Sequence, residues 1–155
     1  MSLIKIVLLF IYLIFFSTAN AESYVKAGES LIWDSENKSY TADGNVEFKN
    51  ERFVASANKM IAKYVEENNE EIFTKVELFQ NVVIEFEDEI FKGNYAIYTR
   101  NDNIIKLTGD VSIESPTRLL TGSELIADID NNKRILNSKN NESLVEVLLE
   151  NNASN

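Results

Sequence analysis

The chain has no cysteine and no histidine. The first absence excludes disulfides, thiolate metal sites and cysteine nucleophiles. The second removes Ser-His-Asp chemistry, histidine general bases and nearly every zinc or non-heme iron site. Positive charge is also scarce: 15 Lys and Arg stand against 25 Asp and Glu, a formal charge of −10. Nucleic acid is a poor partner for such a chain, because phosphate binding needs a basic stripe to displace counterions. There is no G-x-x-x-x-G-K-[ST] loop, so nucleotide hydrolysis cannot drive motion from within. An enzyme would be left with paired carboxylates or a Lys or Tyr base. With 155 residues, 45% of them apolar and 10% aromatic, the chain has the composition of a single globular domain. The balance favours a binding or structural protein that uses no cofactor or metal.

Residues 1–16 read MSLIKIVLLFIYLIFF, with one positive charge at Lys5 and an uncharged apolar run from Ile6 to Phe16. Ala19-Asn20-Ala21 then supplies the small-x-small pattern of a signal-peptidase site. Charged start, apolar run and small-residue exit predict a secretory signal peptide, residues 1–21, cleaved after Ala21. The run is short for a membrane span, which takes about 20 residues. The expected division is signal peptide 1–21, one domain over 22–150, and a polar tail over 151–155.

The remainder repeats. Four blocks align, starting at Gly28, Ala57, Gly93 and Gly122, with spacings of 29, 36 and 29 residues. Each carries isoleucine in the same column: Ile32, Ile61, Ile97 and Ile126. A second landmark reads Gly44-Asn45-Val46, Gln80-Asn81-Val82 and Gly109-Asp110-Val111, the middle one displaced by an insertion around Glu66 to Glu71. A fixed period of this size marks a repetitive architecture. Within each unit apolar and polar residues alternate, as in Val46-Glu47-Phe48-Lys49 and Val82-Val83-Ile84-Glu85-Phe86-Glu87, and turn residues interrupt at short intervals. The pattern predicts an all-β fold of short strands, with the glycines at strand starts. The one helix-compatible stretch, Glu66 to Thr74, reads as the insertion lengthening a hairpin. Ser143 to Glu150 reads as a last strand with Val145, Val147 and Leu149 on one face.

The repeat also assigns faces. Leu31/Met60/Ala96/Leu125 and Trp33/Ala62/Tyr98/Ala127 share one strand face, and the isoleucine column lies on the other. Val46/Val82/Val111 and Phe48/Ile84/Ile113 form further rows. These rows either fill an ordinary core or line a trough that accepts a lipid, and periodicity does not separate the two.

Several segments resemble a known family: Ala42-Asp-Gly-Asn-Val46, Phe53-Val-Ala-Ser-Ala-Asn-Lys59, Gly93-Asn-Tyr-Ala-Ile-Tyr98 and Ile105-Lys-Leu-Thr-Gly-Asp-Val111. In this order and after a signal peptide, they are similar to the OstA-like (LptA) family of periplasmic lipopolysaccharide-transport bridge proteins, over roughly residues 27 to 136. The resemblance implies an antiparallel β-jellyroll opened into a V-shaped trough, whose copies associate end to end. Such a bridge runs from an inner-membrane-anchored partner to an outer-membrane translocon, with the lipid A acyl chains of lipopolysaccharide held in the trough. By the same resemblance Tyr98 faces inward, and Trp33 shares its column. Ile84 and Phe86 follow the second landmark on a trough-facing strand. The candidate lining is Leu31, Trp33, Val46, Phe48, Val82, Ile84, Phe86, Tyr98, Val111 and Ile113. Gln80, where the pattern has glycine, departs from the family.

Other readings carry their own signatures. The membrane-anchored partner of the same machinery would keep its N-terminal helix, which the Ala19-Asn20-Ala21 site argues against. A glycosidase on a β-solenoid would use a carboxylate pair such as Glu85 and Glu87, or Asp128 and Asp130, facing one cleft. A structural repeat scaffold or adhesin would bind no lipid.

Overall fold

A computed structural model describes residues 23–138 and 144–149; the expected signal segment and polar tail lie outside the described residues. The described chain is all β. Ten strands, β1 (Tyr24–Lys26), β2 (Ser30–Asp34), β3 (Ser39–Lys49), β4 (Val54–Glu67), β5 (Glu70–Phe86), β6 (Glu89–Thr99), β7 (Ile104–Ser115), β8 (Arg118–Asp128), β9 (Lys133–Asn137) and β10 (Glu146–Leu149), form one antiparallel sheet. From β3 to β8 each strand pairs with its sequence neighbour. At one edge β1 and β2 share the free side of β3; at the other β10 and β9 share the free side of β8.

The strands are not short, as the repeat suggested, but long and bent. Every pairing from β3 to β8 breaks register at one level. In β3, β5 and β7 two residues there, Gly44-Asn45, Gln80-Asn81 and Gly109-Asp110, take positive φ. They oppose a single residue, Asn58, Asn94 or Ser123, on the neighbouring strand, which makes each break a β-bulge. Three aligned bulges crease the sheet along a line, so each long strand contributes to two facing wings. The second landmark is therefore the crease itself, at mid-strand and not at strand starts. Gln80 adopts the left-handed conformation too, with φ of 63° against 84° for Gly109. Its side chain joins an amide ladder along the crease: Asn58 donates to Gln80 Oε1 and Asn81 donates to Asn58 Oδ1, both at 3.3 Å.

The first landmark has a different cause. Gly93 and Gly122 pair with Val82 and Val111, just beside the crease, where the wings converge. A Cβ at Gly93 would stand 2.8 Å from Leu107 Cγ, so only glycine lets that leucine seat at the vertex.

All the hairpin turns fall at the far ends of the wings and form the lips of a mouth. Two of them repeat one device: Asp34 accepts the backbone and side-chain N–H groups of Asn37 at 2.9 and 2.8 Å, and Asp128 those of Asn131 at 3.0 and 2.8 Å. These bonds hold both carboxyls below the usual carboxylate range. The insertion is a β4–β5 hairpin extension, not a helix, with Asn68 and Asn69 at positive φ in its tip. The expected last strand is present as Glu146–Leu149.

Candidate functional site

Directly paired residues of an antiparallel sheet share a face, so the register reads off the inner surface. On one wing, Leu31–Ala42–Met60–Leu78–Ala96–Leu107–Leu125–Leu136 and Trp33–Tyr40–Ala62–Val76–Tyr98–Ile105–Ala127 run across the sheet. On the other wing, Val25–Phe48–Ala55–Ile84–Phe91–Ile113–Leu120–Val147 does the same. The isoleucine column Ile32, Ile61, Ile97, Ile126 lies on the face opposite these rows, as the repeat predicted, and that face is the outer one.

Eight of the ten candidate lining residues, Val46, Phe48, Val82, Ile84, Phe86, Tyr98, Val111 and Ile113, are buried in a single core cluster between the wings. Leu31 and Trp33 lie on the same inner face but at the sheet edge, where they are 49% and 59% exposed. At the opposite edge Val147 and Leu149 are similarly open. The apolar channel between the wings is thus filled along its middle and uncovered at both ends.

The mouth is closed by side chains from both lips. In the β3–β4 turn, Asn50 Oδ1 accepts the backbone N–H groups of Arg52 and Phe53 at 2.8 and 2.9 Å, which aims Phe53 across the gap. Its ring meets Tyr98 of the other wing edge-on, centroids 5.0 Å apart. Phe48 and Phe73 make a second crossing at 5.5 Å. Above them a polar chain spans the mouth. Tyr98 donates to Asn103 Oδ1 at 2.8 Å, Asn103 donates to Asp130 Oδ2 at 2.9 Å, and Arg52 reaches Asp130 Oδ1 at 3.1 Å. Burial pushes the Tyr98 hydroxyl above its ordinary pKa. Toward the β2 edge, Trp33 Nε1 donates to Tyr64 Oη at 2.8 Å, and Tyr64 stacks tilted on Tyr40 at 5.4 Å. Tyr40 donates to Glu71 at 2.6 Å; burial and that carboxylate push its pKa up to about 12.

The carboxylate pairs weighed for glycosidase chemistry are spent elsewhere. Glu85 is on the outer face and Glu87 in a turn, both exposed, while Asp128 holds Asn131 and Asp130 holds Arg52 and Asn103. The inner-face residues that sequence reasoning missed divide in two. Phe91 stands two residues before Gly93 as Leu120 does before Gly122, so the repeat column could have found it. Phe53 sits in a turn, and Glu89 and Arg134 are charges in apolar rows; nothing in the periodicity marks them.

Comparison with known proteins places this architecture. No curated protein matches the chain in sequence. The fold matches the crystal structure of LptH, the LptA homologous periplasmic component of the lipopolysaccharide transport device from Pseudomonas aeruginosa. The TM-score is 0.70 at 12% identity, covering 84% of this chain and 96% of that one. Residues 24–133, from β1 to the start of β9, match the model of the family described as LptA/(LptD N-terminal domain) LPS transport protein. With most of its length matched and an all-β sheet of the same fold, the chain belongs to the LptA/LptD N-terminal domain family of lipopolysaccharide transport proteins.

Proposed function

We propose that this chain is a periplasmic lipopolysaccharide carrier, exported by a signal peptide cleaved after Ala21. In this reading it holds lipid A acyl chains between its wings and passes them along a head-to-tail bridge. The observation that carries the reading is the continuity of the inner rows. The rows from Leu31 to Leu136 and from Val25 to Val147 cross the whole sheet without a break, and the Trp33 row runs to Ala127 before it meets Arg134. Leu31 and Trp33 at one edge and Val147 at the other are left uncovered. A second copy docked edge to edge would extend each row, and unpaired strand edges are natural docking sites for another strand. The same edges would meet the inner-membrane-anchored partner and the outer-membrane translocon.

The energetics suit a carrier. Burial of an acyl chain contributes about 0.8 kcal/mol per methylene and has no preferred direction along the channel, so a lipid can slide without crossing a specific bond. Membership in a transport family, not an enzyme family, agrees with the expected lack of catalysis. The test is to purify the exported chain from a lipopolysaccharide-producing periplasm and extract it with organic solvent for mass spectrometry. Stoichiometric lipid A supports the carrier reading. Phospholipid alone, or no lipid at any yield, contradicts it and favours a scaffold.

A further inference from the structure

Toward the β9 and β10 edge the inner face turns from apolar to charged. Glu89 pairs with Phe86 and precedes Phe91 by two residues, Arg118 pairs with Ser115, and Arg134 pairs with Ala127, so all three project from the inner face at the lips. Arg134, on one wing, donates from Nε to Oε2 of Glu89 on the other at 2.8 Å, and its Nη2 lies 2.8 Å from the same oxygen in an ion pair. Arg118 Nη2 lies 3.8 Å from Glu89 Oε1. The Arg134 guanidinium is also held from behind: Nη1 donates to the Asp128 and Lys133 carbonyls at 3.2 Å, and Nη2 to Asn132 Oδ1 at 3.3 Å. Its Cζ stands 5.2 Å from the Phe86 ring centroid and 5.3 Å from that of Phe91. The Arg134 and Glu89 side chains are 12% and 11% exposed.

This is a built site. A guanidinium fixed by backbone carbonyls stays in place whether or not Glu89 is there. A nearly buried ion pair is a weak stabiliser compared with apolar residues of the same size, so stability alone does not account for it. Two guanidiniums around one carboxylate leave a net positive charge beside an apolar channel, in a chain whose overall charge is −10. Arginine's planar fork fits phosphate as well as carboxylate, and phosphate brings more charge and more acceptor oxygens.

We propose that Arg134 and Arg118 form a phosphate-monoester subsite for the head group of an acylated ligand, occupied by the Glu89 carboxylate until a phosphate displaces it. The proposal rests on the carrier reading above. Exchange preserves the Arg134 contacts but separates Glu89 from Arg134, and so parts the two wings at this edge. Head-group capture and opening of the mouth become one event, located at the β9 and β10 edge of the channel.

The experiment measures equilibrium binding of a phosphorylated acyl-glucosamine lipid, and of the same lipid after phosphatase treatment, to the wild-type chain and to Arg134→Met and Glu89→Gln. The wild-type chain should prefer the phosphorylated form by about tenfold, the scale of a charged hydrogen-bonding contact. Arg134→Met should erase that preference, so that the two lipids bind this variant equally. Glu89→Gln should increase it, because the competing charge is gone, and this variant carries the test if Arg134→Met does not fold. Inorganic phosphate separates the sources. Suppression of the preference by millimolar phosphate supports an anion site that stands alone, and persistence of the preference supports one completed by the seated acyl chains. Equal wild-type affinity for both lipids, or equal weakening of both in Arg134→Met, overturns the subsite and leaves the carrier reading intact. Failure of the wild-type chain to bind either lipid overturns both.

Discussion

Replacing Phe53 with alanine tests whether the mouth is closed in solution. The ring is buried, packs across the gap on Tyr98 at 5.0 Å, and leans on Phe48 at 5.8 Å. Truncating a buried phenylalanine costs about 3–5 kcal/mol through lost transfer energy and the cavity left behind. Phe53 sits at a lip, where water can enter the vacated space, so the lower bound applies: about 3 kcal/mol, aromatic pairing included. For a domain of this size that is a fall of roughly 10 °C in Tm, read by thermal or urea unfolding. Ile97→Ala, on the half-buried outer face, is the control at about 1 kcal/mol. A Phe53→Ala loss below the control would mean that the ring is solvated and the wings stand apart there, which refutes a closed mouth. The same variant should take up lipid faster, since the inner rows are intact and only the closure is weakened.

Gly109→Ala should destabilise by about 1–3 kcal/mol, because an L-residue at φ +84° is strained and its Cβ would meet Asn94 Cβ at 2.9 Å; chemical denaturation checks this. Alkaline stability should fall steeply between pH 10 and 12. Tyr40 and Tyr95 are held near pKa 12, first by burial and then by Glu71 and Glu77, against 10.0 unfolded. Stability is therefore complete below pH 10 and is lost as pH rises toward 12, when the unfolded chain ionises first; Tyr40→Phe and Tyr95→Phe together should flatten that loss in a pH series of unfolding curves. Trp33→Glu should weaken end-to-end association in sedimentation while leaving the fold unchanged by circular dichroism, since the side chain is exposed at the edge of the sheet.

Much of the fold was legible because repetition and period are one-dimensional signals. The Ile32/Ile61/Ile97/Ile126 column told the faces apart, and Trp33, Ala62 and Tyr98 share one face as the repeat had them, whereas Tyr40 and Val76 join their row only through strand pairing. The crease was visible as Gly44, Gln80 and Gly109 but misread, since a left-handed residue in the middle of a long strand and one at its start leave the same mark in sequence. Gln80 shows the reason: tertiary pairing across a bulge overrides the residue's own preference. The mouth was not legible at all. Phe53 meets Tyr98, Arg52 meets Asp130 and Arg134 meets Glu89 only because the sheet folds on itself, and contacts across that fold obey no period.

The central claim, that the inner face and not the outer one receives lipid, is tested most directly on β2, where neighbouring residues are similarly exposed but point opposite ways. Ile32 is 57% and Trp33 59% exposed. A photocrosslinking residue at each position, irradiated with bound lipopolysaccharide, compares face against face with exposure held constant. Adducts at Trp33 and not at Ile32 are the predicted result. Equal adducts at both, or adducts at Ile32 alone, would contradict the account.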